Sequence, residues 1–552
     1  MVITVFDAMG IQEYLFGSNR LAENIGASYL VEQALNDWPL ESAIEVFPGR
    51  VNPPVKYTPA ARPGIFEQGP FDIELLYSAG GNAIFACKDI EKAREFAGAY
   101  SRKLHERAPG LDVACHHLIN EEENGFNLGE VMWDALSGMS KQKNYRFSDA
   151  PLTGMGVTER CASGNDETAI TGYPPAEPDR FLGPSAWAKI QNSDLSRTHL
   201  NTFLRQGIPG DFELPSELDR LGRSTGEKSF VGICHIDGNG VGKSLQNLLW
   251  SQTNTDPDAQ LSDIRNFSAN ITNAGAQAVR AVMEQVMRNW DPTEQKYAGR
   301  LDLYVDCQTH KLSLPFRPLV YGGDDITFVC DGRIALDLAA TCLKVFNAAG
   351  GLYACAGIAL VKSHYPFFRA YSLAEELCRN AKKMVKSNFA DGASAMDWQI
   401  VSGGPLRSLD SWREREYVTG GNQLTCRPYV VLPSNATTGL KNWDSFRNDL
   451  LLCLQGENPA PECSKWKQAH SRLKSLTPHL RSGPEITQQI FKEWEQKGHE
   501  MPAQYNGCNI STGFYDTRTP FLDALELLDF FVPLKSENGD DHEPLDSDRT
   551  AE

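Results

Sequence analysis

The residues best placed to do chemistry are four in a row, Gly322-Gly323-Asp324-Asp325, inside "VYGGDDITFVC". Strand formers flank the tetrapeptide on both sides. Glycines at its start permit a hairpin with positive φ and a close approach to the backbone. Two adjacent carboxylates with no base beside them in sequence repel each other. A divalent cation relieves that repulsion, and an all-oxygen ligand set favours Mg²⁺ or Mn²⁺.

A third acid lies upstream, in "CHIDGNGVGKSLQNL". The run "GNGVGKS" looks like a phosphate loop, but that motif needs a glycine where this chain has Asp237. Asp237 ends an apolar strand, and strand ends are where sites gather in layered α/β architectures. If its strand lies beside the hairpin, Asp237, Asp324 and Asp325 form the catalytic acidic cluster, and Ile236, next to Asp237, is placed in the same metal site. Gly238, Asn239, Gly240, Val241 and Gly242 then form a turn into a helix whose backbone N–H groups meet phosphates, with Gly322 and Gly323 completing the nucleotide-binding surface.

The elements that must position these residues occur twice. "MVITVFDAMGIQEYLFGS" reads as a strand ending at Asp7, a glycine and an amphipathic run. "IELLYSAGGNAIFAC" follows as a hairpin, and "DIEKAREFAGAYSRKLHER" as a helix. The same order returns in "SFVGICHIDGNGVGKSLQNLL", "FRPLVYGGDDITFVCDG" and "GRIALDLAATCLKVFNAAG". This is an internal duplication of one α+β unit. In the first copy the tip reads Gly80-Gly81-Asn82-Ala83: Asp7 remains and the acidic pair is gone. That unit is expected to hold no metal cluster.

The expected organisation is a degenerate first unit over 1–120, a loop-rich and helical linker over 121–225, the GGDD unit over 226–402, a C-terminal helical domain over 403–535 and an acidic disordered tail over 536–552. "CHHLIN", at 115–120, is read as part of a strand.

The chain has 552 residues and a formal net charge of −18, which argues against a protein that coats nucleic acid. No apolar run reaches the ~20 residues that span a bilayer, and no signal peptide is evident, so a cytoplasmic protein is expected. Thirteen cysteines are scattered without a C-x-x-C pair. They are read as small buried hydrophobes in a reducing compartment, not as structural zinc ligands.

"HIDGNGVGKS", "LPFRPLVYGGDDITFVCDG", "AGIALVKSHYPFFRAYSLAEELCRNAKKMVK" and "GIQEYLFGSNRLAENIGASYLVEQAL" together resemble the Cas10/Cmr2 proteins, the large subunits of type III CRISPR complexes. The resemblance covers roughly residues 1–120 and 226–402. It implies two ferredoxin-like palm (nucleotidyl cyclase) domains packed as a pseudo-dimer, with nucleotides at their interface. It further implies that Asp237, Asp324 and Asp325 hold two Mg²⁺ or Mn²⁺ ions for a two-metal displacement joining nucleoside triphosphates, with ATP the expected substrate, into a cyclic nucleotide messenger. Lys382 and Lys386, one helical turn apart, match a lysine pattern near the triphosphate. RNA or CRISPR-type protein partners are implied as well. The chain departs from the family in lacking a His-Asp dipeptide for the nuclease domain and, with Cys161 alone between the two units, a four-cysteine module. A stand-alone signalling cyclase is therefore expected; a non-enzymatic nucleotide-sensing or scaffold subunit is the second reading, and a template-dependent polymerase the third.

Overall fold

The structure is a computed structural model. It describes every residue except 53–69, 80, 121–126, 145–155, 165–166, 173–179, 205–207, 222–229, 251–255, 402–407, 434–438 and 536–552. Gly80, the acidic tail and much of the segment read as loop lie outside the described residues.

The chain is a mixed α/β protein with two principal sheets. Counting strands of four residues or more and α-helices of six or more, the first unit runs β1 (Val2–Met9), α1 (Ile11–Phe16), α2 (Leu21–Leu35), α3 (Asp37–Val46), β2 (Ile73–Ala79), β3 (Asn82–Cys87), α4 (Ile90–Arg107) and β4 (Asp112–Ile119). Then come α5 (Leu128–Asn144) and α6 (Pro184–Phe203). The second unit runs β5 (Phe230–Gly238), α7 (Val241–Trp250), α8 (Pro257–Arg288), β6 (Phe316–Gly322), β7 (Asp325–Asp331), α9 (Ala335–Gly350), β8 (Ala354–Lys362), α10 (Phe367–Phe389) and β9 (Ser394–Val401).

Both sheets share one plan. The hairpin's inner strand lies beside the unit's first strand, and the fourth strand lies on that strand's far side, with all pairings among these four strands antiparallel. The duplication reaches single residues. The outer hairpin strand slips register between Leu75 and Tyr77 in the first unit and between Pro318 and Val320 in the second. The extra residue, Leu76 or Leu319, is a bulge at one shared position.

That register corrects the sequence alignment of the two hairpin tips. Ala79 pairs with Asn82 as Gly322 pairs with Asp325. The Ala8 N–H donates to the Gly81 carbonyl at 3.0 Å, as the Gly238 N–H donates to that of Asp324 at 3.1 Å. Gly81 therefore replaces Asp324, and Asn82 replaces Asp325. Matching the two Gly-Gly pairs by eye shifts the copies by one residue.

The units exchange helices. α1 lies against α10, with Phe16 4.1 Å from Tyr371 between ring centroids, and Ser28 of α2 donates to the Leu319 carbonyl of β6. In return α7 lies against α5, where Trp133 and Trp250 stand 5.8 Å apart, and Arg265 of α8 donates to Glu74 and to the Leu75 carbonyl of β2. One core accordingly joins Phe6, Phe16 and Ile25 to Val329, Ala359 and Leu377.

α6 is a continuous helix of 20 residues inside the segment expected to be loop-rich and helical. Two expectations change. Beyond residue 403, helices do dominate, namely α11 (Leu409–Tyr417), α12 (Leu476–Ser482), α13 (Pro484–Gln496) and α14 (Phe521–Leu527). A strand, β10 (Tyr429–Leu432), nevertheless joins the second sheet beside β9. Its run Tyr-Val-Val-Leu is aromatic and β-branched, and Tyr429, Val430 and Val431 are buried. Finally, Cys453 and Cys463 form a disulfide and Cys307 is exposed, so the cysteines are not uniformly buried thiols.

Candidate functional site

β5 is buried on both faces and reads as a near-continuous apolar run until Asp237, where the sheet ends. β7 lies antiparallel beside it, with Asp325 directly opposite Asp237. The hairpin turn, with Gly323 at φ 89°, brings Asp324 back over the end of β5. A Cβ on Gly238 would come within 2.9 Å of the Asp324 Cβ. Gly238 is thus the residue that lets Asp324 fold in. Ile236 lies inside the ladder between Ile326 and Ala356, its side chain in the core.

Two basic groups already stand among the acids. Lys382, on α10, places Nζ 2.6 Å from Asp237 Oδ2 and donates to the Gly238 carbonyl at 2.7 Å. Burial disfavours its charge, but Asp237 outweighs burial and holds its pKa above the ordinary value. His235, two residues before Asp237 and so on the same face of β5, places Nδ1 3.4 Å from Asp325 Oδ1. Thr327 Oγ1 and the Tyr371 hydroxyl are also 3.4 Å from that nitrogen. Burial opposes its protonation; Asp325, Asp237 and Glu375 prevail and raise its pKa. Asp324 is pushed up to about 6, first by burial and then by the Asp237 and Asp325 charges. From the first unit, Tyr77 of β2 lies close enough for the Asp324 charge to add to burial, and its pKa rises to about 12.

Among the described residues, no group of three His, Cys, Asp or Glu side chains is drawn together tightly enough to form a ready metal cage. The donor set nonetheless suits a hard cation. Three carboxylates share one sheet end, and among the described residues Asp325 Oδ1 is buried with no hydrogen bond beyond its 3.4 Å approach to His235 Nδ1. The side chains of Asp237 and Asp325 are 40% and 47% exposed, so the cluster opens to solvent.

The remaining sequence candidates divide. Gly240, at φ 64°, and Gly242 are exposed, and Val241 starts α7, so the free N–H groups of its first turn lie next to the acids. Asn239 turns inward: its side chain donates to the Ala393 carbonyl at 2.8 Å and its backbone N–H to that of Tyr353 at 2.8 Å. Gly322 is exposed. Lys386 is exposed one turn beyond Lys382, and no ion pair ties it to the acids among the described residues. The sequence reading missed His235, Tyr371 and Tyr77. His235 carried a signal, since period two puts it on the face of Asp237; the other two are joined to the site only by tertiary packing.

In the first unit, Asp7 Oδ2 lies 2.5 Å from Lys143 Nζ of α5. Burial raises the Asp7 pKa and the lysine opposes that rise.

Comparison with protein-family models and with curated proteins finds no match. Among solved structures, the chain is similar to a Csm1–Csm4 cassette in complex with one ATP, at 14% identity and a TM-score of 0.43, covering 96% of this chain and 70% of that one. The complex of such a cassette with cA4 gives 14% identity, a TM-score of 0.42 and the same coverage. For the apo cassette the values are 15% and 0.40, with 74% of this chain matched to 55% of that one. This chain therefore spans just over half the length of that last structure. Among the described residues no helix is long and apolar enough to cross a membrane.

Proposed function

We propose that the second unit is a metal-dependent nucleotidyltransferase of the Cas10/Cmr2 kind, which joins nucleoside triphosphates, ATP foremost, into a cyclic nucleotide messenger for antiviral signalling in the cytoplasm. The observation that carries this reading is the apposition of Asp237 and Asp325 across β5 and β7, with Asp324 folded over Gly238 at a solvent-open sheet end. The strand order of both units, a split βαβ with a hairpin, supports two ferredoxin-like palms related as a pseudo-dimer.

In this reading Asp237, Asp324 and Asp325 hold Mg²⁺ or Mn²⁺. When bound, such ions stabilise charge at the transferring phosphate and make the attacking 3′-hydroxyl a better nucleophile. The exposed start of α7 offers N–H groups to phosphate oxygens. His235 braces Asp325 from beneath. Tyr77 brings the first unit up to the site, so that a second nucleotide meets a wall supplied by the other half of the chain.

The second reading, a nucleotide-sensing or scaffold subunit without turnover that works beside RNA and CRISPR-type proteins, is favoured by one observation: Lys382 and His235 already partner two of the three acids. Incubating the purified chain with labelled triphosphates and Mn²⁺ separates the readings. Cyclic product from the wild type, lost in Asp324→Ala/Asp325→Ala, supports the enzyme. Product unchanged in that variant overturns the site, and nucleotide binding without product supports the second reading.

A further inference from the structure

The two strand-end acids are treated alike by the fold. The register places Asp7 at the position of Asp237: Asp7 pairs with Asn82 as Asp237 pairs with Asp325. The helix after the fourth strand, α5 or α10, crosses back over the sheet and delivers a lysine to that acid. Lys143 reaches Asp7 at 2.5 Å and Lys382 reaches Asp237 at 2.6 Å. A strand-end carboxylate held by a lysine from the following helix is thus common to both units.

The surroundings differ. In the first unit the hairpin contributes Gly81 and Asn82, so one acid meets one lysine and the charge is balanced. The Asp7 side chain is only 16% exposed. In the second unit Asp324 and Asp325 stand at the same two positions, three acids share Lys382 and His235, and the Asp237 side chain is 40% exposed. A lysine ammonium is a compact charge on a flexible four-carbon stem and can withdraw toward solvent. The Lys382 side chain is 27% exposed.

We propose that Lys382 is the resident cation of Asp237: it holds the carboxylate in the metal-free protein and yields its place to a divalent cation, whereas Lys143 holds Asp7 for good. Lys382 is then a positioning residue that competes with the metal. Metal occupancy is coupled to where this side chain lies, and release from Asp237 frees it to meet the anionic substrate. The first unit remains closed to cations because its lysine has no surplus of acid to yield to. This inference rests on the nucleotidyltransferase reading of the same site.

The test is Mn²⁺ binding to the full chain without nucleotide, followed by electron paramagnetic resonance and calorimetry. Lys382→Met is expected to bind Mn²⁺ about tenfold or more tightly than the wild type, because a neighbouring positive charge is removed. Lys382→Gln, which keeps a donor for the Gly238 carbonyl, should gain in the same sense; Lys382→Arg and Lys143→Met should gain nothing. Unchanged or weaker binding in both neutral Lys382 variants overturns the inference. Asp324→Asn/Asp325→Asn separates the two levels. If it abolishes wild-type binding while the Lys382 variants gain nothing, the metal site stands and the inference falls. If Mn²⁺ binding survives it, the ion is not at these acids and the functional reading falls.

Discussion

Gly275, midway along the 32-residue helix α8, faces the carbonyl of Gly323 so closely that a Cβ there would come within 2.2 Å of the oxygen. A helix of the second unit therefore bears directly on the turn that presents Asp324. Gly275→Ala should push the hairpin tip away from β5. The expected result is a stability loss of about 1–3 kcal/mol, with product formation falling by more than the unfolded fraction accounts for. Thermal melts and turnover on the same sample check both.

Gly238→Ala acts on the same acid from the other side. The added methyl would lie 2.7 Å from Val241 Cγ2 and 2.9 Å from the Asp324 Cβ. Asp324 must move, while the ladder of β5 with β7 and β8 keeps Asp237 in place. Turnover should fall at least about tenfold with little change in KM for ATP, since the lost contact is made at the reacting phosphate. A variant with raised KM and unchanged kcat would contradict this.

Asp324 costs the metal-free protein stability. Burial and the neighbouring acids raise its pKa to about 6, so at neutral pH the folded state holds a charge it disfavours. An acid with a raised folded-state pKa destabilises progressively as pH rises from its unfolded value through the folded one. Asp324→Asn in EDTA at pH 7 should therefore be more stable than the wild type, by about 2–3 kcal/mol, and the gain should vanish below about pH 4. Denaturant titrations at the two pH values measure the difference.

A second titration lies far from the acids. Lys189 of α6 is buried, donates to the Tyr14 carbonyl at 2.7 Å and sits 4.0 Å from the Tyr14 ring centroid. Burial lowers its pKa to about 8. Between that value and the unfolded one near 10.5 the unfolded chain carries more protons, so stability contributed at this site rises with pH. The melting temperature of the wild type relative to Lys189→Met should climb between pH 7.5 and 10. A flat difference would show that the ammonium is not desolvated.

The sequence carried the strand-end acid, the hairpin and the repeated order of elements, because each is written in local pattern: an apolar run closed by Asp237, and Gly-Gly-Asp-Asp between strand formers. What it did not carry depends on pairing and reach. The one-residue offset between the hairpin tips is set by the ladder, where Ala79 meets Asn82, and cannot be seen by matching glycines. The resemblance implies a triphosphate contact for Lys382 and nothing about Asp237; only the packing of α10 on β5 and β8 brings the two together. Lys143 was invisible for the same reason, since it joins Asp7 across more than a hundred residues. β10 was hidden by the helical periodicity on either side of a four-residue run.

The exchange of helices between the two units makes each half the other's missing cover. Cut apart, the first unit would bare the surfaces of α5 and β2 that now meet α7 and α8, and the second those of α10 and β6 that now meet α1 and α2. A single proteolytic nick between them should leave both fragments clasped and co-purifying, and two separately encoded halves should be recovered only as a heterodimer. Joining the two halves in one chain replaces a collision between partners with a tether, so their association does not depend on concentration.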